Sequence, residues 1–362
     1  MNTSKKTKVA FLLGTKAQFI KSKYILENIG REEIELLILD TGQHKEITKE
    51  ELKNLNINYE KIEITNSKKN ISTISSMVLW FISFIFTKQK NKSLENVEYC
   101  LLHGDTLSTL MGLIFSKKNN IKTIHIEAGY KSNNYLKPFP EEIIRDIVSR
   151  FSDTLVVDGP KQYENIKKYI NKKEIIQISR NTIYDSLLNE ISRIEESEKN
   201  QLSVTVHRTE NIYNKKNLDS LVNLLIQIKE DFNFDVIKWF CHDVTHSALV
   251  RKKYKKKLIK NGIELSNLLP YKEFINEIYN SKVIITDGGS IAEECSILGL
   301  NTIIWRDVVE NKDYLNHNVI LSNYKKEKIY DFLNNMKKNK IPLDKSQSPS
   351  QEFVEQFIKR LN

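Results

Sequence analysis

Short apolar runs alternate with stretches of helical length along almost the whole chain, and the rhythm restarts near its middle. Strand-like runs fall at 9–13, 34–39, 99–102, 121–126, 154–157 and 175–178, then at 202–206, 236–240, 283–286, 302–305 and 319–321. Stretches such as 218–228 and 271–279 separate them. Runs without clean in–out alternation are what strands become when helices cover both faces of a parallel sheet. The expected fold is therefore α/β, with two Rossmann-like domains of parallel strands and a cleft between them. A length of 362 residues suits two cores of ordinary size. The boundary is placed at 179–182, giving an N-terminal domain over 1–180 and a C-terminal domain over 181–345. A polar stretch at 339–349 precedes a last helix at 351–361, so the segment 346–362 is expected to pack back on the first domain.

The formal net charge is +10, but the excess is mostly scattered lysine. The densest run, RKKYKKK at 251–257, reads as a solvated helix face, since no aromatic or Arg-rich recognition module accompanies it. No nucleic-acid partner is expected, and a basic surface helps gather an anionic small substrate. Cys100, Cys241 and Cys295 lie in apolar segments without CxxC spacing, as buried free thiols in a reducing cytoplasm would. Lys5, Lys6 and Lys8 precede too short an apolar run for a signal peptide. The run MVLWFISFIF at 77–86 reads as a core helix, with a membrane-surface or oligomer contact as the alternative; ten residues cannot span a bilayer.

Chemistry concentrates where apolar runs give way to Gly and polar residues. Asp105 in His103-Gly104-Asp105 and Glu127 in His125-Ile126-Glu127-Ala128-Gly129 fall at such points, and Glu141 and Glu142 open the next helical pattern. Strand C-terminal ends are where open α/β sheets build their sites. Several carboxylates there suit proton transfer, and crowding them together would raise their proton affinity. Gly14-Thr15-Lys16, with Lys21 behind it, is a βα turn able to hold phosphate, though without the P-loop pattern. Thr286-Asp287-Gly288-Gly289-Ser290 is a sharper version, its glycines letting a diphosphate approach backbone N–H groups. Glu293 and Glu294 are placed in that helix's first turn, as ribose acceptors or as charges matched to the helix terminus. His207, Arg208 and Glu210 close another strand, and His44, His103, His125, His207 and His242 all fall at or near strand ends. None of these histidines has metal-ligand spacing, so no metal is expected. No GxSxG elbow, kinase set or early GxGxxG occurs.

These residues, taken in order, resemble the UDP-N-acetylglucosamine 2-epimerases. The match runs through GTKAQFIK (14–21), TGQH (41–44), HGDT (103–106), HIEAG (125–129), PFPEE..R (138–145), NTIYD (181–185), VTVHRTEN (204–211), TDGGSIAEE (286–294) and WRD (305–307). The resemblance implies a GT-B-like pair of domains, a UDP-amino sugar substrate, no cofactor and a homodimer. It implies inversion at C2 by anti elimination of UDP to a 2-acetamidoglucal, then re-addition of UDP to a sugar reprotonated from the opposite face. Asp105, Glu127 and Glu141 take the positions of the family's catalytic acids, any of which could be the C2 base, with His207 beside them. Lys21, Arg208, Ser290 and Glu294 take substrate or UDP positions, Glu294 as the ribose ligand. The product would serve a surface polysaccharide such as O-antigen or capsule.

The chain departs from the family pattern in places. Lys16 stands where Arg is usual, keeping the charge without the planar fork. Ala17-Gln18 replaces Pro-Glu, Gly288-Gly289-Ser290 replaces Ser-Gly-Gly, Val308-Val309-Glu310-Asn311 replaces Thr-Thr-Glu-Arg, and Thr209 replaces a second Arg. SQSPS at 346–350 stands in place of Tyr-Gly-Asp-Gly. These changes touch the phosphate grip and any allosteric UDP-sugar site, not the carboxylates. A hydrolysing relative and a 2-epimerase for another UDP-amino sugar are the nearest alternatives. A GT-B glycosyltransferase is more remote, because it would not need Asp105, Glu127 and Glu141 together.

Overall fold

Seven strands build the first sheet: β1 (Thr7–Leu13), β2 (Ile34–Asp40), β3 (Glu60–Glu63), β4 (Val97–His103), β5 (Lys122–Ile126), β6 (Thr154–Val157) and β7 (Glu174–Gln177). Six build the second: β8 (Lys199–Thr205), β9 (Val236–Cys241), β10 (Ile263–Asn267), β11 (Ser281–Thr286), β12 (Thr302–Ile304) and β13 (Val319–Leu321). The computed structural model describes residues 7–32, 34–44, 51–53, 55–65, 71, 74–86, 92–132, 135, 140–195, 197, 199–309, 312–337 and 340–361. The chain divides into two compact units, Met1–Ser186 with Ser346–Asn362, and Leu187–Lys345. The division falls inside the helix Ile183–Ile191.

Every described strand pair is parallel, and the orders are β3-β2-β1-β4-β5-β6-β7 and β10-β9-β8-β11-β12-β13. In each sheet the order reverses beside the first strand, between β1 and β4 and between β8 and β11. A crevice therefore opens outside the strand ends at those two places. Both faces of the first sheet are covered. Val9, Phe11 and Leu13 of β1 join one buried cluster, while Ala10 and Leu12 join another on the opposite face. That double burial is why the strands read as unbroken apolar runs.

The two strands without an apolar run, β3 and β10, are edge strands. EKIE in β3 has no buried residue, and IELSN in β10 buries only Ile263. A half-solvated edge needs little apolar surface, and charge on it discourages pairing with another chain.

The turn after β1 is tightly specified. A Cβ at Gly14 would lie 2.1 Å from Ser108 Oγ and 2.4 Å from Thr41 Oγ1, so only glycine allows this approach. Thr15 caps the helix Lys16–Ile29 in a capping box with Gln18. The Gln18 side chain accepts from the Gly14 and Thr15 N–H groups at 3.1 and 3.2 Å. Its amide donates to the His103 carbonyl at 2.9 Å and reaches Thr106 and Thr109. The Gln18 departure thus ties the turn after β1 to the turn after β4. A carboxylate there could not donate.

The helix Ile74–Phe86 differs from its expected place in the core. Trp80 and Phe84 point inward, but Val78, Leu79, Ile82 and Phe86 are exposed, Phe86 to 82%. Alternating burial around the helix leaves an apolar stripe facing outward. Among the described residues no helix is long and apolar enough to cross a membrane. The last helix, Pro349–Leu361, packs in the first unit, where Phe353 and Phe357 are fully buried with Tyr99 edge-on to Phe357. Asp185 accepts from the Ser350 N–H at 2.9 Å, and Glu352 accepts from the N–H and hydroxyl of Ser179. Cys100, Cys241 and Cys295 are free and buried, each thiol pushed up to about 12 by burial.

Candidate active site

In the first unit, the carboxylates stand on the turns that end β4 and β5. Gly104 (φ 71°) follows β4, and Glu127, with φ 69°, follows β5. A glutamate in the left-handed region is strained, of the order of 1–2 kcal/mol, and strain of this kind gathers at functional sites. A Cβ on Gly104 would come within 3.2 Å of Glu127 Oε2, so glycine gives the carboxylate its room. The Gly104 N–H donates to the Ile126 carbonyl at 3.0 Å, joining the two turns.

Glu127 is met by one cation, an amide donor and an imidazole. The Lys21 ammonium is hydrogen-bonded to Oε1, the Asn181 amide donates to the same oxygen at 2.8 Å, and His103 Nδ1 lies 3.6 Å from Oε2. Burial alone would raise the proton affinity of this carboxyl. Lys21, His103 and Asn181 more than reverse that and hold it well below the usual carboxylate range. Lys21, expected among the phosphate contacts, is here a buried partner of Glu127. His103 and His125 are buried and pushed down to about 4, chiefly by loss of solvent. His125 Nε2 faces the Gly104 carbonyl at 2.9 Å and must carry the proton, leaving Nδ1 to accept from the Ser149 hydroxyl at 3.0 Å.

Asp105 has a different cation. The Arg145 guanidinium bonds Asp105 through one nitrogen and Glu142 through the other, the latter at 2.7 Å. Asp105 and Glu127 therefore do not share a cation: Lys21 meets Glu127, while Asp105 shares Arg145 with Glu142. Glu141 opens the helix Glu141–Phe151 and is half-buried, whereas its neighbour Glu142 is 6% exposed and faces Arg145. Pro138 and Phe139 of the same motif lie outside the described residues, as do Glu310 and Asn311. Lys16 is the first residue of its helix, half-buried, its N–H pointing to His44 Nδ1 at 3.4 Å.

In the second unit, Asp287 organises the turns after β8 and β11. It is fully buried and accepts from the N–H groups of His207 and Arg208 at 3.0 and 2.8 Å and from the Asn211 amide at 2.9 Å. The His207 ring places Nδ1 3.4 Å from Asp287 and lies against His242, centroids 4.6 Å apart; burial lowers its proton affinity. Arg208 is half-buried beside it. Gly288 caps the helix Gly289–Leu298 with an ordinary φ of −83°, and Gly289 and Ser290 form its half-buried first turn. Glu293 and Glu294 consequently fall in the second turn, not the first as expected. The field of a helix terminus fades within one turn, so it does not account for them. Glu294 is 4% exposed and accepts from the Tyr271 hydroxyl at 3.1 Å.

The family model for UDP-N-acetylglucosamine 2-epimerase matches residues 27–356. The chain belongs to the UDP-N-acetylglucosamine 2-epimerase family, a family of isomerases. It is 30% identical over 318 residues to a UDP-N-acetylglucosamine 2-epimerase homolog of Methanococcus maripaludis, covering 84% of this chain and 85% of that one. It is 27% identical to the UDP-N-acetylglucosamine 2-epimerase of Campylobacter jejuni, over 86% and 85% of the two chains. Among solved structures, Methanocaldococcus jannaschii UDP-GlcNAc 2-epimerase in complex with UDP-GlcNAc and UDP superposes with a TM-score of 0.81. That pair is 26% identical and covers 98% of this chain and 99% of the other.

Several residues around this family's motifs escaped the sequence reading: Arg145, Asn181, Asp287 and Tyr271. Arg145, Asn181 and Asp287 stood inside quoted motifs, PFPEE..R, NTIYD and TDGGS. The signal available was a charged or amide residue in a motif with no role of its own. Tyr271 carried none, because it reaches Glu294 from a helix 23 residues earlier.

Proposed function

We propose that the protein interconverts UDP-N-acetylglucosamine and UDP-N-acetylmannosamine without releasing free sugar. The observation that carries this reading is the pair Asp105 and Glu127 on adjacent strand ends, each matched to a separate cation. Family membership and the M. jannaschii complex with UDP-GlcNAc and UDP support the substrate. In the forward direction a carboxylate takes the C2 proton, the C2–H electrons form a C1=C2 bond, and the C1–O bond breaks to release UDP. Re-addition reverses these steps with the proton delivered to the other face of C2. A Glu127 carboxylate held so low is a weak base while Lys21 stays on it. A diphosphate that draws Lys21 away would leave the desolvated carboxylate with a higher proton affinity, coupling substrate arrival to basicity.

The test is NMR of UDP-GlcNAc with purified protein in D2O. Deuterium is expected at C2 of both epimers. Free ManNAc formed stoichiometrically with UDP would favour the hydrolysing reading, and sugar transfer without C2 exchange would end both.

The buried Glu294, with Tyr271 as donor, is proposed to accept the ribose hydroxyls. Glu294→Ala is expected to weaken UDP binding by about 1.5–3 kcal/mol, the worth of hydrogen bonds to an ionised acceptor. Unchanged affinity by calorimetry in a folded variant would remove it from the site. The stripe of Val78, Leu79, Ile82 and Phe86 is proposed to be covered by a second copy of the chain. Sedimentation is expected to give the mass of two chains, and Leu79→Lys with Phe86→Lys the mass of one.

A further inference from the structure

One face of the helix Glu141–Phe151 holds the turn after β4 from two sides. Arg145 bonds the Asp105 side chain directly, while Ser149, one turn on, meets His125 Nδ1 at 3.0 Å. His125 in turn donates to the carbonyl of Gly104, the residue before Asp105, at 2.9 Å. Arg145 is itself fixed: Glu142 takes its other nitrogen at 2.7 Å, and Glu142 also accepts from the Ser132 N–H at 3.0 Å. Arg145 and Glu142 are 7% and 6% exposed, so this ion pair is shielded from the solvent that weakens surface pairs. A guanidinium fork can hold two carboxylates in a fixed relation; an ammonium cannot.

We infer that Arg145 is a positioning residue for catalysis: braced by Glu142, it sets where the Asp105 carboxylate points during proton transfer. This rests on the epimerase reading of the site. It assigns Arg145 neither a substrate contact nor a proton to move. Displacement of a catalytic group by about 1 Å costs roughly 10²-fold in rate, so the loss should appear in kcat and leave nucleotide binding in place.

A cavity lined in part by Tyr130, Lys131, Glu142, Arg145, Ser149 and Tyr169 adjoins this side chain, so a small cation is expected to reach the space that Arg145→Ala leaves. The experiment measures kcat, KM and UDP affinity of Arg145→Ala, with and without added guanidinium chloride below denaturing concentration. The expected result is a kcat lower by roughly 10²-fold, UDP affinity within about threefold of wild type, and recovery of kcat by about tenfold or more with guanidinium. Arg145→Lys, which keeps the charge but not the fork, should remain folded and impaired. If Arg145→Ala does not fold, Glu142→Gln serves instead, with kcat lowered and UDP affinity kept. A raised KM at unchanged kcat would overturn the inference, since it would mean substrate contact. So would near-normal turnover of these variants, or no recovery with guanidinium. Absence of C2 exchange in the wild type is a separate outcome, which overturns the epimerase reading and this inference with it.

Discussion

Glu127→Gln is expected to lower kcat by at least about 10²-fold and up to about 10⁴-fold, the range for loss of a positioned general acid or base. Glutamine keeps the shape and an oxygen for the Asn181 amide, but it can neither take nor deliver the C2 proton. The substitution also removes the ion pair between Glu127 and Lys21, which is 8% exposed. Losing the carboxylate of a buried ion pair costs stability, so part of a crude activity loss is expected to be unfolding. Two measurements separate these effects. Activity normalised to the folded fraction isolates chemistry, and the double variant Lys21→Met with Glu127→Gln should recover stability without recovering turnover. A Glu127→Gln protein that exchanges C2 at near wild-type rate would take Glu127 off the catalytic list, and its left-handed backbone would then need another explanation.

The parts of this protein that were legible before the structure share a physical cause. Strands buried on both faces announce themselves as apolar runs, so β6 and β13 were located to the residue, while the charged edges β3 and β10 went unseen. Asp105 and Glu127 were found because strand C-terminal ends can be read from the chain. Their partners could not be. Arg145 reaches Asp105 across 40 residues, and Asn181 reaches Glu127 across 54. Nothing in local sequence says which cation meets which carboxylate. Glu141 and Glu142 make the point most sharply, because neighbours on a helix point about 100° apart. The motif gave both side chains, and only the packed helix distinguishes the half-buried one from the one that braces Arg145. The same limit explains why a raised proton affinity was expected at Glu127, where the structure shows a lowered one: the acids could be seen to cluster, but the cation beside Glu127 could not be assigned.

Mild acid is expected to destabilise the fold well before its carboxylates protonate, because of His103 and His125. Both are buried, with folded values near 4 against about 6.5 when exposed. Between those limits the unfolded chain binds protons that the native state refuses. Stability therefore falls as pH drops from about 6.5 towards 4, by up to about 1.4 kcal/mol per pH unit for each histidine. Two such groups acting over that window threaten a stability of the ordinary 5–15 kcal/mol. The contribution of Glu127 has a separate window. Its folded value lies below that of an exposed glutamate, so the stability it gives is intact above about 4.5 and is lost only at lower pH. Urea unfolding at pH 7, 6 and 5 should show the midpoint falling at each step. His125→Gln offers a control, since its amide can donate to the Gly104 carbonyl and its oxygen can accept from Ser149 without titrating. That variant should unfold with a shallower pH dependence than the wild type. A wild-type midpoint constant from pH 7 to pH 5 would mean that the two imidazoles take up protons in place, and that the turn holding Asp105 tolerates a charge behind it.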